Sequence, residues 1–155
     1  MILGSPRAPF LDDLKTGDEL SELVYDVTQE CVDAYGMASL DLNPVHMDPQ
    51  WAARAQVFGF PETVAHGMMS MSYAASLVLR AFGASARITA VESTFTKPVP
   101  VGSTVTVRGE VRDTHPIGDG KDFAVIRAIA TDQHGDTISV NEIHLQLPRR
   151  PADQQ

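Results

Sequence analysis

The sequence predicts an α+β fold in which one long buried helix is followed by antiparallel strands that curve around it. Three observations carry this. From Gly67 to Phe82, residues Met68, Met71, Ala74, Ala75, Val78, Leu79 and Phe82 recur at helical spacing, and Met69, Tyr73 and Leu77 make other faces apolar too. From Arg87 onward the period falls to two: Val105, Val107 and Val111 alternate with Thr104, Thr106, Arg108, Glu110 and Arg112. A helix apolar on most sides and strands apolar on one side bury those surfaces together only if the sheet wraps the helix.

Taken in order, residues 1–15 carry prolines, a glycine and an acidic pair, and are expected to form an arm over the surface. Glu19 to Val27 reads as a strand. Thr28 is placed to cap a helix from Gln29 to about Tyr35, with Cys31, Val32 and Tyr35 on its core side and Gly36 as its stop. Asn43-Pro44 and Asp48-Pro49 are each a capping residue followed by a proline suited to the first helical position, so two short helical turns start in succession. The second is expected over Pro49 to Ala55, with Trp51 as its large apolar contact, and Phe58-Gly59-Phe60-Pro61 breaks it. Gly83 sits where a cap for the long helix belongs.

Among the strands, Phe123 to Ala130 is apolar on both faces and reads as central, bounded by turns at Asp119-Gly120 and His134-Gly135-Asp136. In the last strand Ile138 and Val140 occupy even positions but Ile143, Leu145 and Leu147 odd ones, which predicts a bulge near Asn141 and Glu142. Residues 149–155 form a polar tail expected to fray.

A chain of 155 residues, 43% of them hydrophobic, is expected to make a single domain over residues 1–155. The single cysteine, Cys31, has no partner for an internal disulfide, and Pro6 and Pro9 interrupt any secretory apolar run, so a cytoplasmic protein is expected. The most apolar stretch, Met68 to Phe82, is broken by Ser70, Ser72, Ser76 and Arg80 and does not read as a membrane span. A net charge of −8 argues against nucleic-acid binding, which requires neutralising phosphates. Arg54, Arg80, Arg87, Lys97 and Arg108 are the candidates for a basic patch that an acidic ligand would need.

Chemistry concentrates in Ser39-Leu40-Asp41-Leu42-Asn43-Pro44-Val45-His46-Met47-Asp48-Pro49 and in Ala65-His66-Gly67-Met68-Met69. Asp41 lies on an extended segment and His46 in the first turn after it. Alone, Asp41 reads as a turn-forming acid and His46 as a helix-start residue, although their placement would let the two side chains converge on one small molecule. Asn43 serves as a structural cap, and His66, at a helix start, as a cap or packing group. Gly67 either permits close packing or presents a first-turn N–H, at the positive end of a helix, to an oxyanion. His115, His134 and His144 read as surface residues. No histidine pair has the spacing of a helical metal motif and no cysteine cluster exists, so no metal is expected. Ser70 and Ser72 lack the strand-turn setting of a nucleophile.

The run Ser-x-Asp-x-Asn-Pro-Val-His-x-Asp-Pro with a later His-Gly-Met-Met resembles the MaoC-like, or R-specific, enoyl-thioester hydratase family, a likeness reaching from about Gly17 to Leu147. The resemblance implies a hotdog fold, a long central helix wrapped by a curved antiparallel sheet. It implies Asp41 and His46 as the catalytic pair and the Gly67 N–H as donor to the thioester carbonyl. Ser39, Asn43 and His66 would support the site; Leu40, Met68 and Met71 are the candidates for lining an acyl pocket, while Met68, Met69 and Met71 by themselves read as core filling. The family usually has glycine where this chain has Leu40. The implied reaction is reversible hydration of 2-enoyl thioesters, or dehydration of (3R)-3-hydroxyacyl thioesters, carried on CoA or acyl carrier protein and using no cofactor. The implied assembly is a homodimer, or a heteromer with another hotdog chain. The competing readings are a partner-dependent, non-catalytic subunit and, less favoured, a hotdog acyl-thioesterase.

Overall fold

The computed structural model describes residues 2–3 and 9–151. Among the described residues six strands form one sheet in the order β1-β2-β4-β5-β6-β3. They are β1 (Ile2–Leu3), β2 (Glu19–Asp26), β3 (Arg87–Phe95), β4 (Thr104–His115), β5 (Phe123–Thr131) and β6 (Thr137–Gln146). β1 pairs parallel with β2, and every other pairing is antiparallel. Four helices, α1 (Gln29–Ser39), α2 (Pro44–Met47), α3 (Pro49–Ala55) and α4 (Gly67–Phe82), lie between β2 and β3 in sequence. Helix α4 packs against β2, β3, β4, β5 and β6, so the sheet wraps it as the apolar pattern requires.

The core forms where α4 meets the sheet: Tyr73, Ala74, Leu77, Val78 and Phe82 from the helix, Val105, Val107 and Val111 from β4, Ala124, Ile126 and Ala128 from β5, and Ile143 and Leu145 from β6. Gly109 on β4 marks the closest approach, because a Cβ there would lie 2.8 Å from Leu77 Cδ2. The bounds of α4 match the sequence expectation, but its buried stripe runs through Met69, Ser70, Tyr73, Ala74, Leu77, Val78, Ala81 and Phe82. Met68 and Leu79 face outward, and Met71 and Ala75 are half-buried. With apolar residues on most faces, the helical spacing left the choice of inner stripe open; the small residues Ser70, Ala74 and Ala81 belong to it.

Three other expectations are corrected. Helix α1 does not stop at Gly36 but continues to Ser39. Gly36 is buried within it because a Cβ would overlap Met47 Sδ and come within 3.2 Å of the Asp41 carbonyl oxygen. Cys31 is exposed rather than in the core, since the buried line of α1 passes through Val32 and Gly36. No bulge interrupts Asn141 and Glu142, which pair in unbroken register with Ala128 and Arg127. The apparent slip arises because two polar residues, Ser139 and Asn141, occupy inward positions of β6 and are fully buried. Asn141 is satisfied there: its Nδ2 donates to Ala128 O (3.2 Å) and Ser139 Oγ (3.1 Å), and its Oδ1 accepts from Ser93 Oγ (2.6 Å).

Residues 11–13 meet residues 148–150. Leu11 and Leu14 are buried, so this part of the N-terminal segment contributes to the core, while residues 4–8 of the expected arm lie outside the described residues. Arg149 pairs with Asp12 at 2.7 Å and Arg150 with Asp13. The Arg149 guanidinium and the Arg150 backbone N–H hold the Asp12 carboxyl down at about 2. Residues 152–155 of the expected tail lie outside the described residues.

Candidate active site

Local sequence builds the segment that carries His46. Asn43 Oδ1 accepts from the Val45 N–H at 3.1 Å with Pro44 at the first helical position, and Asp48 Oδ1 accepts from the Trp51 N–H at 2.9 Å with Pro49 next. Both caps are those the sequence predicts. Ala52 rather than Trp51 is the buried residue of α3; Trp51 is half-buried. Upstream, Asp41 sits between α1 and α2 with its carboxylate exposed, its N–H 3.4 Å from Ser39 Oγ and its Oδ1 3.4 Å from the Asn43 N–H.

Leu40 ends α1 in the left-handed region, at φ 61°, ψ 21°. That conformation explains why glycine suits this position: a Cβ there is strained by about 1–2 kcal/mol. The Leu40 side chain is 79% exposed.

The two histidines meet. His46 and His66 stack with ring centroids 3.9 Å apart, and Tyr35 closes on His66 at 5.0 Å. His46 Nδ1 lies 2.7 Å from Val64 O, and because a carbonyl only accepts, the proton resides on Nδ1. Nε2 is left with its lone pair, the state of a general base. Burial, partly offset by the bond to Val64, lowers the His46 pKa below its ordinary 6.5, and nearby His66 lowers it further against the pull of Asp41. The ring is therefore neutral at pH 7.

His66 occupies the cap position of α4 without capping through its side chain. Its ring turns back, with Nε2–H donating to Asp41 O at 2.9 Å. It is 1% exposed, and its Nδ1 is a buried acceptor with no partner among the described residues. This contact ties the Asp41 backbone to the start of α4. Polar atoms of Asp41, His46 and His66 lie within 4.8 Å of one another. His46 Nδ1 and His66 Nε2 are each engaged by a backbone carbonyl, which leaves one ring nitrogen on each histidine.

A cleft of about 360 Å³ opens beside this cluster, lined by His46, Phe58, Gly67, Ser70, Phe95, Lys97 and Ile138 among others. Gly67 begins α4, where backbone N–H groups lack intrahelical acceptors. A Cβ on Gly67 would make only ordinary contact, 3.7 Å, with the Phe95 ring, so packing within the chain does not demand glycine. The position lines the cleft. Asp41 is not among the lining residues, nor are Leu40, Met68 and Met71. Of the basic-patch candidates only Lys97 lines the cleft, and it is paired with Asp132 (2.8 Å) and Asp136 (2.6 Å). Arg108 pairs with Glu22 at 2.8 Å on the sheet.

Gln29, which the sequence marks only as a helix start, also belongs to the site: its amide bonds the His46 carbonyl. The partners are 17 residues apart, beyond the reach of local pattern.

Residues 15–133 match the MaoC like domain family. A 67-residue stretch is 37% identical to 3-hydroxyacyl-thioester dehydratase Y of Mycobacterium tuberculosis, and covers 42% of this chain but only 22% of that protein. Among solved structures, R-hydratase PhaJ1 from Pseudomonas aeruginosa is similar at a TM-score of 0.81 and 24% identity, over 91% of this chain and 86% of that one. The (R)-hydratase from A. caviae involved in PHA biosynthesis is similar at a TM-score of 0.78 and 26% identity, over 88% of this chain and 98% of that one. The likeness to these hydratases makes the fold a hotdog.

Proposed function

Because this chain belongs to the MaoC-like domain family, we propose that it is a hydro-lyase that adds water reversibly across the double bond of a 2-enoyl thioester, with Asp41 and His46 as the reacting pair. The observation that carries the reading is the His46 imidazole, fixed with Nδ1–H on Val64 O so that Nε2 is free as a base beside Asp41 and the cleft.

Hydration places OH on C3 and H on C2, and negative charge passes through the thioester oxygen on the way. The site must therefore supply a base for water, a proton for C2 and a donor for the oxyanion. One water spans Asp41 and His46 Nε2; the imidazole takes its proton as the oxygen adds to C3, and the pair returns a proton to C2. The Gly67 N–H, at the positive end of a sixteen-residue helix, faces the oxyanion. Ser39 and Asn43 shape the Asp41 turn, and His66 holds its carbonyl. This chemistry needs no cofactor beyond the CoA or carrier protein that bears the acyl group. In reverse it dehydrates a (3R)-3-hydroxyacyl thioester.

A homodimer completes the reading. Among the described residues β3 lies at one end of the sheet with β6 as its only neighbour, and Phe95 at its end reaches the cleft. Pairing β3 with its copy would satisfy the open edge beside the site. A single exposed cysteine suits the reducing cytoplasm. Among the described residues no helix is long and apolar enough to cross a membrane. The direct test mixes purified protein with short and medium 2-enoyl-CoA thioesters and follows the conjugated absorbance. Its loss is expected; no turnover with any CoA or carrier-bound enoyl substrate would overturn the reading.

A further inference from the structure

We propose that Gln29 is a positioning residue for His46, a strut between the two backbone segments that hold the imidazole. The inference rests on the reading of His46 as the reacting base.

Gln29 is the first residue of α1 and is half-buried. Its amide is engaged on both sides. Nε2 donates to the His46 carbonyl oxygen at 2.8 Å and to Asp33 Oδ1 at 2.7 Å, while Oε1 accepts from Thr63 Oγ1. The orientation follows from the partners: a carbonyl and a carboxylate can only accept, so the NH₂ faces them and the oxygen faces the hydroxyl. Asp33 thereby sets the amide plane that serves the other two bonds.

Those two bonds lead to opposite ends of the His46 ring's support. One reaches the backbone of His46 itself. The other reaches Thr63, which is buried and immediately precedes Val64, whose carbonyl receives His46 Nδ1. The direction of Nε2 depends on how the turn at residues 43–47 sits against the strap at residues 63–66. A bond from the Val64 N–H to Val45 O, at 3.2 Å, is a further direct tie between them. Gln29 fixes the same separation through one planar group, without touching the cleft.

Gln29→Met tests this, since it keeps length and bulk but removes all three bonds. Loss of positioning should lower kcat about tenfold or more while KM for an enoyl-CoA changes less than about twofold, because misplacing a reacting group costs rate rather than binding. The downfield proton resonance of His46 Nδ1–H should move upfield or vanish by exchange. Thr63→Val should do the same to a smaller degree, and the double variant should be little worse than Gln29→Met alone, as expected of one connected network.

Unchanged kcat and an unchanged His46 resonance in folded Gln29→Met would overturn the proposal, even with a lower Tm, because a merely structural glutamine would behave so. Should Gln29→Met fail to fold, the resonance in Thr63→Val decides on the same terms. Absence of hydration by the wild-type protein would sink the functional reading instead, and the Nδ1–H resonance would still judge the strut.

Discussion

Leu40 shows how much one dihedral can explain. Its left-handed backbone is forced by the sharp exit from α1 toward Asp41, and its exposed side chain offers little packing in return. Relief of about 1–2 kcal/mol of strain, against about 0.5–1 kcal/mol of extra unfolded-state freedom for glycine, makes Leu40→Gly stabilising by about 0.5–1 kcal/mol. Thermal unfolding should show Tm rising by about 2 °C. Activity should be little altered, since Leu40 does not line the cleft of this chain. His46 supplies the second prediction at this scale. Its folded pKa lies below 6.5, so below that value the unfolded state binds the proton more readily and stability falls as pH falls. The base must be neutral to act, so kcat/KM should rise with pH through a midpoint below 6.5, a limb that a pH–rate profile measures. The caps at Asn43 and Asp48 were legible because each bond is made within three residues. The turning back of His66 to the Asp41 carbonyl, 25 residues away, was not.

Among the elements, the long helix was read with its observed bounds because glycine marks each end and apolar residues recur at helical spacing between them. The last strand was misread for the opposite reason. Apolar alternation locates an inward face only when inward residues are apolar, and Ser139 and Asn141 break that condition while satisfying each other and Ser93. Removing the amide should expose the cost. Asn141→Ala leaves Ala128 O and the Ser93 hydroxyl without this partner, a loss of about 2 kcal/mol or more. Urea unfolding should show a lower midpoint with an unchanged m-value.

At the scale of the whole molecule, α+β class follows from the change of period, but the sheet order β1-β2-β4-β5-β6-β3 depends on pairings far apart in sequence and was not legible. The open edge at β3 is a property of that order. Sedimentation at micromolar concentration should give twice the mass of 16.8 kDa, and a monomer would contradict the pairing proposed for this edge. The fold also brings the acid and imidazole of one stretch to the helix start of another. The measurement that tests this most directly is enoyl-CoA hydration by wild-type protein beside Asp41→Asn and His46→Gln. Turnover should fall by about a hundredfold or more in each variant, the scale of a positioned acid or base, with circular dichroism unchanged. Near-normal turnover by both folded variants would contradict the assignment of the chemistry to Asp41 and His46.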